Sequence, residues 1–249
     1  MKKIKTAIIA IKKIKNWPTY FLDYLSLIRK KNITYKFRKG PSLFLRAGTS
    51  DRGIMTSIVV SDEHRIENIK LEKNAVIVDI GAQTGIFSIY VSNKAEKIYA
   101  YEPEPTNYEY LINNIKINKL KNKIIPFNLA VSNKKEKLKI YYSKENTGGH
   151  SSYLKTRKFF TTKTTTLKEI IELNKLKKID LLKIDTEGAE YKILFGLPQH
   201  YFKNIKRIIV EIHEINHETY NKKNLIKYLK KAHYEIEEKE GYLFCTKRN

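Results

Sequence analysis

The pattern of apolar and polar positions changes near residue 75. From there onward, apolar runs of four to six residues alternate with stretches in which apolar residues recur at helical spacing. This alternation is typical of parallel strands joined by crossover helices, so the sequence predicts an α/β fold. Strands are predicted at 76–80, 97–101, 124–130, 179–184 and 207–212. Helices are predicted at 85–92, 106–118, 167–174, 189–195 and 219–232.

Two hairpin-like patterns accompany this alternation. Residues 138–142 and the Thr-rich residues 161–166 both alternate like strands, and they form an insertion after the third predicted strand. The Gly-rich segment 146–152 between them is either a loop that closes over a ligand or the turn of a plain hairpin. Residues 234–237 and 242–246 flank a glycine near the end of the chain and predict a terminal hairpin.

The first part of the chain follows a different pattern. Residues 1–40 predict a basic helical extension, and a single domain over 41–249 follows it, beginning with a short strand at 42–46. Within the extension, isoleucines recur at helical spacing and lysines surround them. The isoleucines are Ile4, Ile8, Ile11 and Ile14, and the lysines are Lys2, Lys3, Lys5, Lys12, Lys13 and Lys15.

This amphipathic pattern has two interpretations. The favoured one is a helix that packs its isoleucine stripe on the domain and keeps its lysines in water. The alternative is an interfacial helix, ending near Trp17, through which residues 1–17 contact an anionic membrane.

Composition narrows the class of protein. The chain has 249 residues, of which 41% are hydrophobic, and it contains one cysteine. This composition excludes a disordered, collagen-like or disulfide-stabilised protein. No apolar run approaches the roughly 20 residues that span a bilayer. We therefore expect a cytoplasmic protein, which the membrane alternative would place at the inner membrane surface.

The net charge of +23 would attract nucleic acid or other polyanions. The positive charge comes from 41 lysines and only 8 arginines, however, and proteins that read nucleic acid favour the planar guanidinium of arginine. A nucleic-acid partner is therefore disfavoured.

A cofactor cleft is predicted where the first two strands of the α/β pattern end. Asp79 closes the first strand, and Gly81 and Gly85 follow in a turn that lets the next helix begin close to an anionic group. Glu102 ends the second strand, 23 residues after Asp79, where a carboxylate can accept hydrogen bonds from both ribose hydroxyls. The alternative for Glu102 is a carboxylate that only caps a turn.

The type of nucleoside follows from the charge of this turn. A pyrophosphate would need a lysine or further glycines, whereas Asp79 would repel it, so NAD and ATP are disfavoured. S-adenosylmethionine fits better, because its ammonium can lie near Asp79 and its carboxylate near helix or loop amides.

Four segments also resemble the FkbM-type methyltransferases, a family of class I S-adenosylmethionine-dependent enzymes found in the biosynthesis of sugars, polysaccharides and polyketides. They are RAGTSD (46–51), DIGAQTG (79–85), YEP (101–103) and IDLLKIDTEGAE (179–190). The resemblance runs from about residue 43 to the C-terminus, and the last segment is the most specific.

The resemblance implies a Rossmann-like sheet of seven mostly parallel strands, with helices on both faces and the last strand antiparallel. It implies O-methylation of a hydroxyl on a sugar, a glycan or a related small-molecule intermediate. The family usually has Asn where this chain has Gln83, and the longer amide would change how the methionine carboxylate is held. The implied cofactor-binding residues are Asp79, Gly81 and Gly85 at the methionine end, Gln83 on the same turn, Glu102 at the ribose, and Asn128, Ala130 and Val131 at the adenine, together with Ser50 and Asp51.

The candidate catalytic residues follow the fourth and fifth strands. Asp185 is the first choice, because it lies at the strand end that faces the ligand crevice, and Glu187 on the same turn is expected to contact substrate hydroxyls. Glu211 and His213 end the next strand, and His213 is the candidate general base because its ordinary pKa suits proton transfer. The alternative is that Asp185 and Glu187 only place charge at a helix N-terminus.

A metal site is not assigned. Residues 213–217 match the zinc-protease pattern His-Glu-x-x-His, but that pattern needs a continuous helix and here it follows a β-branched strand. A divalent ion such as Mg²⁺ on Asp185 and Glu211 stays open. Two other functions stay open as well: an RNA or DNA methyltransferase, which lacks its usual Asn/Asp-Pro-Pro-Tyr turn here, and a non-catalytic module that binds a membrane or a partner.

Overall fold

The computed structural model of the chain describes residues 2–142, 151 and 156–248. Its helices are α1 (Lys2–Lys13), α2 (Trp17–Tyr24), α3 (Asp51–Met55), α4 (Ile86–Val91), α5 (Pro105–Ile117), α6 (Leu167–Leu173), α7 (Glu190–Phe195) and α8 (Lys222–Lys231). Its strands are β1 (Asn32–Lys36), β2 (Ser42–Arg46), β3 (Val76–Ile80), β4 (Lys97–Tyr101), β5 (Ile124–Phe127), β6 (Ala130–Ser132), β7 (Lys137–Tyr141), β8 (Phe159–Thr166), β9 (Leu181–Ile184), β10 (Arg207–Glu211), β11 (Tyr234–Lys239) and β12 (Tyr242–Lys247). A π-helical turn covers Thr56–Val60.

A seven-stranded sheet with the order β11-β12-β10-β9-β3-β4-β5 forms the centre of the fold. The pairs among β10, β9, β3, β4 and β5 are parallel, and β12 lies antiparallel between β10 and β11. The predicted fold class is confirmed. The predicted strand 124–130 is divided, because the chain leaves the main sheet after β5 and β6 pairs instead with β8 in a small three-stranded sheet.

Both faces of the central strands are buried, as a parallel sheet requires. In β3 and β9, Ile77 and Leu181 pack in one apolar cluster, whereas Val78 and Leu182 pack in a second cluster on the opposite face. These strands therefore read as continuous apolar runs in the sequence, which is why their positions could be predicted closely.

The order in which the strands are added to the sheet reverses at β3, and ligands of doubly wound folds bind at such a point. β3 leads to β4 on one side, while β9 lies on its other side. Gly81 follows β3 with a φ of +79°, and a Cβ there would lie 1.8 Å from the carbonyl oxygen of Asp185. Only glycine fits at position 81, because the turns after β3 and β9 touch there through their backbones.

The N-terminal segment differs from the predicted helical extension. Residues 32–36 form β1, which pairs antiparallel with β2, so helical structure through residue 40 is wrong. The side chains of Ile33 and Tyr35 are buried and alternate with exposed Asn32 and Lys36, a period of two that is too short to stand out in a basic stretch. Tyr35 belongs to the same buried cluster as β3.

The isoleucine stripe of α1 is also placed differently from the favoured prediction. Ile4, Ile8 and Ile11 are 67%, 48% and 38% exposed, and the helix packs through Ala10 and the following Ile14, which are fully buried. The prediction that the stripe packs on the domain is therefore wrong except at Ile14. Within the described part of the chain, no helix has the length and apolar character needed to cross a bilayer.

The insertion agrees with the sequence pattern. β7 and β8 pair antiparallel, which confirms the strand character of both flanks. Apart from Ser151, the Gly-rich segment 146–152 lies outside the described residues, so the closing-loop hypothesis stays a prediction. The hydroxyl of Ser151 donates to the carbonyl oxygen of Glu187 at 2.5 Å.

Candidate active site

A cavity of about 450 Å³ lies at the carboxyl ends of β3, β4, β9 and β10. Its floor is the turn at 81–83, and Glu102 and Asp185 line it from the two sides of β3. The π-helical turn adds Ser57 and Ile58 to the wall. One cavity therefore contacts both the predicted nucleoside residues and the predicted acceptor residues.

Glu102 is the best-oriented carboxylate at the nucleoside end. Its side chain is buried, and its two oxygens accept the backbone N–H groups of Gln83 at 2.8 Å and Glu104 at 2.9 Å. Burial raises the pKa of Glu102 to about 7, and these two hydrogen bonds oppose the rise. The carboxylate is fixed by backbone amides and still lines the cavity.

The longer amide of Gln83 has a defined use. With φ at +51°, its Nε2 donates to Asp51 Oδ1 at 2.9 Å, and its Oε1 accepts the N–H of Thr84 at 2.8 Å. Asp51 is fully buried and also pairs with Arg46 at 2.8 Å. Asp51 therefore positions the turn and does not line the cavity, whereas its neighbour Ser50 does line it.

Two residues expected at the methionine end do not reach the cavity. Asp79 is fully buried beneath it, where Oδ2 accepts the Ser88 hydroxyl at 2.6 Å. Gly85, with φ at +84°, is needed for packing, because a Cβ there would lie 2.5 Å from Leu111 Cδ1. Of the predicted Asp79, Gly81 and Gly85, only Gly81 lines the wall.

Of the three residues predicted at the adenine, two line the cavity and one does not. Ala130 and Val131 line the cavity together with Leu129. Asn128 is exposed, and its amide donates to the carbonyl oxygens of Glu102 at 2.9 Å and Pro103 at 3.1 Å. Asn128 thus braces the strand end instead of facing a ligand.

Lys183 connects the two halves of the cavity. It lies opposite Asp79 in the β3–β9 register, and its buried ammonium is 3.4 Å from Asp79 Oδ1 and 3.5 Å from Asp185 Oδ2. It also donates to the carbonyl oxygen of Gly81 at 2.8 Å. Burial alone would lower the pKa of Lys183, but Asp79, Asp185 and Glu211 outweigh it and raise that pKa, so the ammonium stays charged.

Three carboxylates line the acceptor end: Asp185, Glu187 and Glu211. The hydroxyl of Tyr242 donates to Glu211 Oε2 at 2.9 Å and orients that carboxylate. Burial, followed by the charge of Asp185, raises the pKa of Glu211 to about 7. Burial also raises the pKa of Glu187. All three carboxylates can accept hydrogen bonds from hydroxyls, and Glu211 can exchange protons near neutral pH.

His213 lies beside this cluster and not in the cavity wall. Its Nδ1 is 3.3 Å from Glu190 Oε1, and its Nε2 is 3.4 Å from Glu187 Oε2. Burial by itself would lower the pKa of His213, but the hydrogen bond to Glu190 and the surrounding carboxylates raise it to about 9. The ring is therefore protonated at neutral pH, which is unfavourable for the predicted role of general base.

The metal hypotheses have different outcomes. Asp185, Glu211 and His213 offer ligand atoms within 4.8 Å of one another, so Mg²⁺ binding there stays a hypothesis, although Lys183 already provides a cation beside Asp185. Residues 213–217 contain no helix, so the two imidazoles of the protease-like pattern do not share a helix face. This agrees with the rejection of a zinc-protease site.

Sequence reasoning missed the wall supplied by residues 57–64. His64 is buried against the rings of Phe87 and Tyr242, and neither of its ring nitrogens has a hydrogen-bond partner among the described residues. Burial, with a smaller contribution from Lys183, lowers the pKa of His64 to about 3, so the ring is neutral. Its isolated position in the sequence carries no periodic signal, and only the fold brings it to the cavity.

The charge on His213 can be measured directly. Titration of the imidazole proton resonances by NMR is expected to give a pKa near 9 for His213, and Glu190→Gln is expected to lower it because a fully buried negative partner is removed. The exposed His217 serves as the internal control, and its resonances should not be affected by the substitution. A His213 pKa at or below the ordinary value would contradict this electrostatic description.

Comparison with known proteins agrees with this geometry. Residues 79–236 match the Methyltransferase FkbM domain family. The chain is 26% identical over 186 residues to methyltransferase sdnD of Sordaria araneosa, covering 61% of this chain and 71% of that protein. It is 27% identical over 142 residues to the hexuronic acid methyltransferase AglP of Haloferax volcanii, covering 57% of each protein.

A solved structure is similar as well. The crystal structure of methyltransferase FkbM from Methylobacillus flagellatus aligns with a TM-score of 0.49 and 14% identity, covering 72% of this chain and 45% of that one. The family match alone covers more than half of the chain, and it extends from Asp79 in β3 into the first half of β11. The chain belongs to the FkbM methyltransferase family.

Proposed function

We propose that the protein transfers a methyl group from S-adenosylmethionine to a hydroxyl oxygen of a sugar, a glycan precursor or a related polyhydroxylated molecule. The observation that carries the proposal is the convergence of Asp185, Glu187 and Glu211 at one end of the cavity whose other end contains Glu102. Carboxylates accept hydrogen bonds from neighbouring hydroxyls. The hexuronic acid activity in the name of AglP supports the same acceptor class.

The residues at the donor end fit S-adenosylmethionine. Glu102 presents a carboxylate fixed by two amides, suited to accept hydrogen bonds from the two ribose hydroxyls. Leu129, Ala130 and Val131 provide an apolar wall for a flat base. Because Gly81 has no side chain, the turns after β3 and β9 can touch, and residues of both turns line the same cavity.

The chemistry requires a base at the acceptor end. The bound donor supplies an electrophilic methyl group on a sulfonium, and the attacking oxygen must lie roughly 3 Å from it in line with the bond that breaks. Because a sugar hydroxyl is a poor nucleophile, we assign Glu211 to accept its proton. Tyr242 holds the Glu211 carboxylate, and burial together with the charge of Asp185 raises the pKa of Glu211 to about 7.

His213 has a supporting role in this proposal. As an imidazolium it neutralises Glu187 and the fully buried Glu190, and it keeps the turn after β9 tied to the end of β10. The sequence-based choice of His213 as the base is therefore replaced by Glu211.

A nucleic-acid acceptor is the alternative suggested by the net charge. The cavity argues against it, because Glu63, Asp185, Glu187 and Glu211 would repel phosphates at the acceptor end. Tight RNA binding that weakens steeply with salt, together with RNA methylation, would support the alternative instead.

Glu211→Gln is expected to lower kcat by about 10²–10⁴-fold, because the variant keeps the shape of the side chain but cannot accept a proton. In the wild type, kcat/KM for the acceptor at saturating S-adenosylmethionine is expected to fall as the pH drops below about 7, where Glu211 becomes protonated, and this acidic limb should be absent from the variant. Methyl transfer to a panel of sugars and nucleotide sugars provides the assay.

The exposed Glu214→Gln provides the matched control for this experiment and should retain wild-type kcat and its pH profile. If Glu211→Gln kept both the rate and the acidic limb, Glu211 would not be the base.

Glu102→Gln is expected to weaken S-adenosylmethionine binding by about 10–100-fold, because a charged acceptor of two hydrogen bonds becomes a neutral amide. In the wild type the affinity should also fall below pH 7, as the Glu102 carboxylate becomes protonated. Isothermal titration calorimetry measures both effects. Glu109→Gln, on the exposed face of α5, is the control, and equal affinities for all three proteins would refute the ribose assignment.

A further inference from the structure

The helices α1 and α2 and the turn after them expose an unusual number of large apolar side chains. On α1, Ile4, Ile8 and Ile11 follow one another at spacings of four and three residues, so they share one face of the helix, and all three are exposed. The same region exposes Trp17, Leu22, Tyr24, Leu25 and Leu27. A group of exposed apolar side chains marks an interaction site, whereas apolar side chains scattered singly over a surface do not.

The exposed face of α1 is held in a defined orientation by the opposite face. Ala10 and Ile14 are fully buried in the cluster that includes β3. Lys13 Nζ donates to the carbonyl oxygen of Val59 in the π-helical turn at 2.5 Å. The isoleucines therefore point away from the domain on a helix that is already packed.

The neighbouring helix α2 is fixed to the same part of the fold. Tyr20 forms a hydrogen bond of 3.1 Å with the Thr56 hydroxyl, and the ring of Phe21 packs edge-on against Trp17 with centroids 5.9 Å apart. The π-helical turn that supports both helices also includes Ser57 and Ile58, which line the cavity. The exposed apolar side chains are thus joined to the cavity through one short segment.

The charge that residues 1–40 contribute is almost entirely positive, although Lys13 of α1 also pairs with Glu67. Residues 1–40 contain 12 lysines and arginines and one acidic residue, Asp23. Asp23 is buried, where it accepts the Tyr35 hydroxyl at 2.6 Å and lies 3.6 Å from Arg52, so it adds no negative charge to the surface. Exposed lysines flank the isoleucines on α1: Lys3, Lys5 and Lys12.

We propose that this basic amphipathic surface, formed by the exposed side chains of α1, α2 and the turn through Leu27, docks the protein on an anionic lipid bilayer. The isoleucines and leucines enter the boundary between headgroups and acyl chains, and the lysines contact the anionic headgroups. Trp17, the first residue of α2, is exposed, and tryptophan suits the membrane interface because it has an apolar ring and a polar N–H.

Other occupants fit this surface less well. A second copy of the chain would bring lysines against lysines with no exposed acidic residue of residues 1–40 to pair with them. Nucleic acid would satisfy the lysines, but aliphatic side chains neither stack on bases as aromatic rings do nor bond to their edges. A bilayer satisfies both the charge and the aliphatic side chains.

Vesicle flotation of the full chain tests the proposal. Binding is compared on phosphatidylcholine vesicles with and without about a third phosphatidylglycerol, at increasing salt. The wild type is expected to bind the anionic vesicles and to be released as salt rises. The variant with Ile4→Ser, Ile8→Ser and Ile11→Ser is expected to lose at least about tenfold in partitioning, because three inserting side chains are removed.

A matched control substitutes three exposed aliphatic residues outside the surface, Ile112→Ser, Ile117→Ser and Leu173→Ser, and should bind like the wild type. Thermal melting and calorimetry with S-adenosylmethionine establish that both triple variants are folded.

Several outcomes would overturn the proposal. These are no binding of the wild type to anionic vesicles, equal binding by the wild type and the α1 variant, or an equal loss in both triple variants. Two further results would also overturn it, because each assigns the surface to another occupant: RNA binding without vesicle binding, and a dimer in analytical ultracentrifugation that only the α1 variant abolishes.

Discussion

The buried ammonium of Lys183 is the interaction on which the site depends. It lies where the strand order reverses, between Asp79 of β3 and Asp185 at the end of β9. It also donates a hydrogen bond to the carbonyl oxygen of Gly81. A buried lysine is tolerated only when its charge is paired and its donors are used. The contacts that satisfy Lys183 therefore hold the turn after β3 and the carboxylate of Asp185 in fixed positions relative to each other.

The electrostatics of the acceptor end follow from this arrangement. Lys183 and the protonated His213 supply positive charge to a cluster that contains Asp185, Glu187 and Glu211. These two positive charges allow several carboxylates to lie close together while some of them stay ionised. The carboxylate of Glu211 is left with a pKa near 7, a value suited to taking a proton from a hydroxyl.

Much of the central fold could be predicted from the sequence, because buried parallel strands are continuous apolar runs bounded by turns. β3 and β4 lie at their predicted positions, and the acid after β4 lines the cavity as expected. The roles of single side chains were harder to predict. Asp79 precedes the last residue of its strand and lies beside Lys183 of β9 on the same face of the sheet, a register that local sequence does not encode.

The elements that were missed share a cause. β1, the π-helical turn and His64 acquire their role only through contacts with residues distant in the chain, and none has a long periodic signal. The same holds for His213, whose protonation depends on Glu187 and Glu190 from another strand end.

The most direct test of this site is a crystal structure with S-adenosylhomocysteine. The account predicts ribose hydroxyls on Glu102 and the sulfur facing Asp185 and Glu211, and a nucleoside bound outside this cavity would contradict it.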